Sequence, residues 1–134
     1  QARLSLPNLD FIYWDIFEDA PFQEQFDIIV LSAVIQYFPN FEATIERLSE
    51  FLTKNGEIHI IDSPFYEASH IQKAKERTKA YYTKMGIPEM SQYYFHHTID
   101  QLKGFKILYK PIQNKFLRKL KSPDSPFSWY CLKK

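Results

Sequence analysis

Residues 26–62 constrain the fold more than any other stretch, because they read as strand, helix, strand. The first segment, FDIIVLSAV (26–34), is an almost unbroken apolar run of β-branched and long aliphatic residues. Strands covered on both faces carry such runs, as in a parallel sheet with helices above and below. The last segment, GEIHIID (56–62), has the same character through Ile58, Ile60 and Ile61 and ends on a carboxylate. Between them, residues 44–52 place Ile45, Leu48, Phe51 and Leu52 at the spacing of one helical face. Asn40 is positioned to cap that helix, and Asn55-Gly56 to end it in a left-handed turn. The expected product is a right-handed βαβ unit.

A chain of 134 residues suits one domain with a real core, and its 45% apolar and 17% aromatic content marks it as globular. The three glycines, Gly56, Gly86 and Gly104, stand apart from one another, so no glycine-rich phosphate cradle is spelled within these residues. Cys131 is the single cysteine, which excludes a disulfide framework and a multi-cysteine zinc cluster and suits a reducing cytoplasm. No stretch approaches the roughly 20 apolar residues of a membrane span. Net charge is +1, yet residues 1–69 set 12 acids against Arg3, Arg47 and Lys54. Residues 70–134 set 14 bases against Glu76, Glu89, Asp100 and Asp124. The two halves are expected to attract, and salt to weaken that attraction.

The rest of the chain is assigned from local signals. Residues 8–14 (NLDFIYW) predict a short strand ending at Asp15, followed by an acidic loop broken by Pro21. Residues 68–85 predict a helix, with Ile71, Ala74, Thr78, Tyr81 and Met85 on one stripe and Gly86 closing it. Thr98 and Gln101 form a capping box for a short helix ending at Gly104. Strands are expected over 105–110 and 127–132, paired antiparallel, with a basic connector and a helical turn at 116–120 between them. Residues 123–126 (PDSP) read as a turn.

Four segments in this order resemble the C-terminal two-thirds of a class I S-adenosylmethionine-dependent methyltransferase. NLDFIYWDIFEDAPF (8–22) is similar to the family's third strand and its following acidic residue. FDIIVLSAVIQYFPN (26–40) resembles the fourth strand and its loop, and LSEFLTKNGEIHIIDSP (48–64) the helix, turn and fifth strand. TIDQLKGFKILY (98–109) is similar to the short helix and Gly-Phe approach to the sixth strand. The resemblance implies an α/β, Rossmann-like fold in a single partial domain over 1–134. Its sheet is expected to be mainly parallel with an antiparallel C-terminal edge and helices on both faces. The family's strand order is 3-2-1-4-5-7-6. Its first two strands and glycine-rich loop have no counterpart in these residues, so the fourth strand is expected to show an apolar edge. That edge is open to residues 8–14, to a second copy in a homodimer, or to the remainder of a longer protein.

The resemblance also assigns site residues. Asp15 matches the carboxylate that accepts from the adenine amino group, and Ile16 the residue that packs on the ring. Ser32 and Ala33 match positions beside the methionyl part of S-adenosylmethionine. Gln36, Phe65 and Tyr66 fall near the methyl acceptor, expected to be a small molecule. Tyr37, Asp62 and His97 are the candidates for orienting or deprotonating its oxygen, nitrogen or carbon. Each has a plainer alternative in capping or packing. His96-His97 lack a surrounding ligand set, so no metal is expected. The basic run 103–121 reads as a solvated surface rather than a nucleic-acid interface. Weak cofactor binding by these residues alone, or none, is expected, and a noncatalytic association module using the sheet edge or basic face is the competing reading.

Overall fold

The computed structural model describes residues 9–23, 25–112 and 125–134. Four strands form one sheet: β1 (Phe26–Ser32), β2 (Leu52–Ile61), β3 (Lys106–Tyr109) and β4 (Trp129–Lys133), in the order β1-β2-β4-β3. β1 and β2 pair in parallel; β2 with β4 and β3 with β4 pair antiparallel. This is the order implied for the family's fourth, fifth, seventh and sixth strands. The sheet is mixed, with parallel pairing limited to β1–β2.

Residues 9–14, expected as a strand, form none. Trp14 instead turns edge-on to Phe22 and Phe51, while Leu9, Phe11, Ile12 and Tyr13 stay exposed. An apolar, β-prone sequence becomes a strand only where a partner offers hydrogen bonds, and this segment does not reach the β1 edge.

Helix α1 (Phe41–Glu50) joins β1 to β2. Asn40 caps it: its Oδ1 accepts the Ala43 N–H at 3.1 Å. Phe41, Thr44, Ile45 and Leu48 form its buried face and pack on Leu31, Ile58 and Ile60. Ile58 and Ile60 are fully buried on the central strand; burying such a side chain contributes about 1.5–3 kcal/mol.

The helix does not end at Asn55-Gly56. It stops at Glu50, and Phe51 serves as its C-terminal cap in ordinary right-handed geometry. Gly56 lies inside β2, where the register jumps from Phe26↔Leu52 to Ile28↔Glu57. A Cβ on Gly56 would stand 2.9 Å from Leu52 Cβ and 3.0 Å from the Phe26 carbonyl oxygen. Close approach therefore demands glycine there, not a left-handed turn.

Helix α2 (Ile71–Lys84) follows a 3₁₀ turn (Ala68–His70) and closes at Gly86, whose φ is 78°. It packs against a second 3₁₀ segment, Pro88–Tyr93. The capping-box residue Gln101 accepts the Thr98 N–H at 2.9 Å, opening the 3₁₀ helix Ile99–Leu102. The turn expected at 116–120 lies outside the described residues, as does the first half of that at 123–126.

The two sheet faces differ. One holds the core. On the other, strand alternation places Ile28 and Val30 beside Glu57 and His59, which pair with Lys133 and Cys131. Ile28 is 60% and Val30 52% exposed, and the outer side of β1 has no strand partner among the described residues.

Candidate functional site

Two parallel strands end side by side, with Ser32 paired to Ile61. The next residue of each, Ala33 and Asp62, adopts φ 51°. These are the positive-φ residues other than glycine among the described residues. A left-handed non-glycine residue costs of the order of 1 kcal/mol and persists where the surroundings impose it, often at functional sites. Here the Ala33 N–H donates to the Ile61 carbonyl at 3.0 Å, tying the two ends together. Ser32, Ala33 and Asp62 are exposed, so the rim they form is open to a ligand. The Asp62 carboxylate accepts the Ser125 hydroxyl at 3.0 Å.

The 3₁₀ turn Ile35–Tyr37 follows this rim, and the 94–97 segment is hydrogen-bonded to that turn. Gln36 is buried; its amide donates to the Ala33 carbonyl at 2.7 Å. Its Oε1 is buried without a partner among the described residues. The Phe95 N–H donates to the Gln36 carbonyl at 2.7 Å. His97 is buried and its Nε2 lies 3.0 Å from the Ile35 carbonyl. A carbonyl only accepts, so this bond puts the proton on Nε2 and leaves Nδ1 as the basic nitrogen. Tyr37, half exposed, meets Tyr94 edge-on at 5.9 Å. Burial pushes the Tyr94 phenol up to about 12, with Tyr66 and Tyr37 adding to it, so Tyr94 stays protonated. Burial likewise raises Tyr66.

The other assigned residues take these positions. Tyr66 bridges the loop, donating its N–H to His97 and accepting from Ile99, both at 3.0 Å. Phe65 packs into the core against Phe41 and Tyr130, a packing role at this site. Asp15 Oδ1 accepts the Phe17 N–H at 3.0 Å. Ile16 packs on the core, and its carbonyl accepts from Arg47 of α1 at 2.7 Å. The structure thus brings Ser32, Ala33, Gln36, Tyr37, Asp62 and His97 into one neighbourhood. Asp15 and Ile16 stand along α1, bound by local contacts.

Sequence reasoning missed a network on the open face. Trp129 Nε1 donates to His59 Nδ1 at 2.9 Å, so the other His59 nitrogen carries the proton and donates to Glu57 at 3.1 Å. Lys133 pairs with the same carboxylate at 2.6 Å. Lys133, then the Cys131 thiol, hold Glu57 below its ordinary pKa; burial, then Glu57, raise that of Cys131. Glu57, His59 and Cys131 offer ligand atoms within 4.8 Å of one another. In this protonation, however, the indole locks the histidine tautomer that turns an N–H toward Glu57, and the thiol holds its proton. The group shares protons rather than presenting free lone pairs. Alternation along β2 and β4 was the only sequence signal; the register that joins them is non-local.

The chain belongs to a methyltransferase family: the model of the family described as "Methyltransferase domain" matches residues 1–123. Among solved structures it resembles the plantazolicin methyltransferase BpumL, in complexes with a pentazolic and with a triazolic desmethylPZN analog, each with SAH. For both, the TM-score is 0.52 at 17% identity, covering 91% of this chain and 57% of that one. The likeness establishes the fold, a class I methyltransferase type, and the chain spans little more than half the length of those structures. No curated protein matches it. No helix among the described residues is long and apolar enough to cross a membrane.

Proposed function

We propose that the rim at the ends of β1 and β2 is a methyl-transfer site. It would use S-adenosylmethionine and a small-molecule acceptor with a reactive oxygen, nitrogen or carbon. The observation that carries this is the pair of left-handed residues, Ala33 and Asp62, at adjoining strand ends beside the small Ser32. Ligands of open α/β sheets sit beyond such ends. The residues fit the reactive end of a cationic donor. They offer small side chains for close approach, the Asp62 carboxylate, the unpaired Gln36 oxygen and the faces of Tyr37 and Tyr94.

When bound, S-adenosylmethionine supplies a methyl group already activated by its sulfonium sulfur. The chain must hold the acceptor in line, about 3 Å from that methyl, and keep water out. His97 is our candidate base, through Nδ1, because its Nε2 proton is committed to Ile35. Asp62 orients the acceptor or balances positive charge. Tyr37 and Tyr94 form a wall, with Tyr94 keeping its phenolic proton to donate. Gln36 and Tyr66 shape the acceptor side; Asp15 and Ile16 remain the candidates for adenine contact. The Asp15 carboxylate is committed to Phe17, and the three scattered glycines make no cradle, so weak donor binding by this chain is part of the proposal. The lone, buried Cys131 supports a cytoplasmic setting.

The test is transfer of labelled methyl from donor, at high concentration, to a panel of small phenols, amines and carboxylic acids. Transfer is expected, and His97→Gln should reduce it about 100-fold or more by removing the base. Transfer indifferent to His97, or none with any acceptor, contradicts the reading.

A second reading is favoured by one observation. Phe26 is 40%, Ile28 60% and Val30 52% exposed along β1, whose outer edge has no strand partner among the described residues. Such an edge recruits another strand, so association of two copies through β1, with or without catalysis, is the alternative.

A further inference from the structure

A second recess opens beside the rim, between α2, the 88–93 segment and residues 94–97. Its volume is about 500 Å³, and its polar lining includes Lys75, Lys79, Ser91, Gln92, His96 and Gln101. Lys75 and Lys79 are four residues apart on α2, so they share a helical face one turn apart. Both are exposed, and neither forms an ion pair among the described residues. No carboxylate lines the recess. Glu76, the one acid of α2, is hydrogen-bonded to Gln72 at 3.1 Å, and Glu42 reaches the region only through the Gln101 amide, also at 3.1 Å.

Two ammonium groups facing one recess without a counter-charge repel, and an anion between them removes that repulsion. The remaining lining residues supply amide, hydroxyl and imidazole donors. Burial, then the Lys75 cation, lowers the pKa of His96, which keeps it neutral and adds no further charge. Its Nε2 lies 2.9 Å from the Thr78 hydroxyl, and its Nδ1 has no partner among the described residues.

The recess is tied by hydrogen bonds to the turn that follows the rim. His97 lines it and bonds to Ile35, and Phe95 lines it and bonds to Gln36. We propose that this recess binds the oxyanion of the methyl acceptor, a carboxylate or phosphate group held by Lys75 and Lys79. Only the word acceptor rests on the methyl-transfer reading; the anion site stands on its own lining.

The test is titration of the ¹⁵N-labelled 134-residue chain, followed by NMR, with sodium benzoate, with inorganic phosphate and with benzylamine. Benzoate or phosphate should give saturable shifts in residues 75–79 and 91–97, and whichever binds more tightly names the oxyanion. Benzylamine should give none. The double variant Lys75→Gln/Lys79→Gln changes only exposed side chains, and should weaken anion binding about tenfold or more. Absence of saturable shifts with either anion overturns the proposal. So does affinity unchanged in the variant, or an equal response to benzylamine. S-adenosylhomocysteine added to the same samples separates the two readings. Lysine-dependent anion binding with no nucleoside response would sink methyl transfer and leave the anion site standing.

Discussion

At the residue scale, three positions carry more than their chemistry suggests. Gly56 is held by contact, not by φ: a side-chain carbon there meets Leu52 at 2.9 Å. Gly56→Ala should therefore destabilise the fold by about 1–3 kcal/mol through overpacking, seen as a lower urea midpoint with unchanged slope. Ala33 is the converse case. Its φ of 51° disfavours a Cβ, so Ala33→Gly should raise stability by up to about 1 kcal/mol in the same measurement. His96 supplies a pH dependence. Burial and Lys75 depress its folded pKa below the ordinary 6.5, so the unfolded chain binds more protons in that window. Its contribution is then fully present above 6.5 and is lost as pH falls through the folded value. The stability curve of His96→Gln should fall less steeply below pH 6.5 than that of the parent chain.

At the element scale, what the sequence made legible was local. The Asn40 cap, the Gly86 stop, the Thr98–Gln101 box and the four strands follow from side chains acting within a few residues. What was not legible depends on distant partners. The 8–14 segment has strand composition, yet no strand forms over 9–14 because pairing is a property of two segments. Gly56 looked like a helix stop because an Asn-Gly pair carries the same letters whether it turns or packs. The Glu57–His59–Trp129–Cys131 network needed the β2–β4 register, which no single stretch encodes. Part of the candidate rim was readable, since parallel strands bring their ends together; the left-handed bends of Ala33 and Asp62 were not. The exposed β1 edge yields its own prediction. Ile28→Lys should leave the helix content and fold intact while lowering any concentration-dependent self-association seen in sedimentation; association unchanged by the substitution would contradict pairing through β1.

At the scale of the whole molecule, charge is divided along the chain, yet few charged side chains meet across the halves among the described residues. Lys133 meets Glu57 and Gln101 meets Glu42. Exposed pairs of this kind contribute little, so added salt should shift stability only slightly. The sheet order, the family match and the likeness to a methyltransferase fold agree on one architecture. Within it, the proposed donor site lies where β1 and β2 end, with the acceptor recess beside it. The most direct measurement is NMR mapping of the ¹⁵N-labelled chain titrated with S-adenosylhomocysteine. The account predicts weak binding, with shifts centred on Ser32, Ala33 and Asp62 and extending to Gln36 and His97. Shifts centred instead on the open face at Val30, His59 and Trp129, or none at any concentration reached, would contradict it.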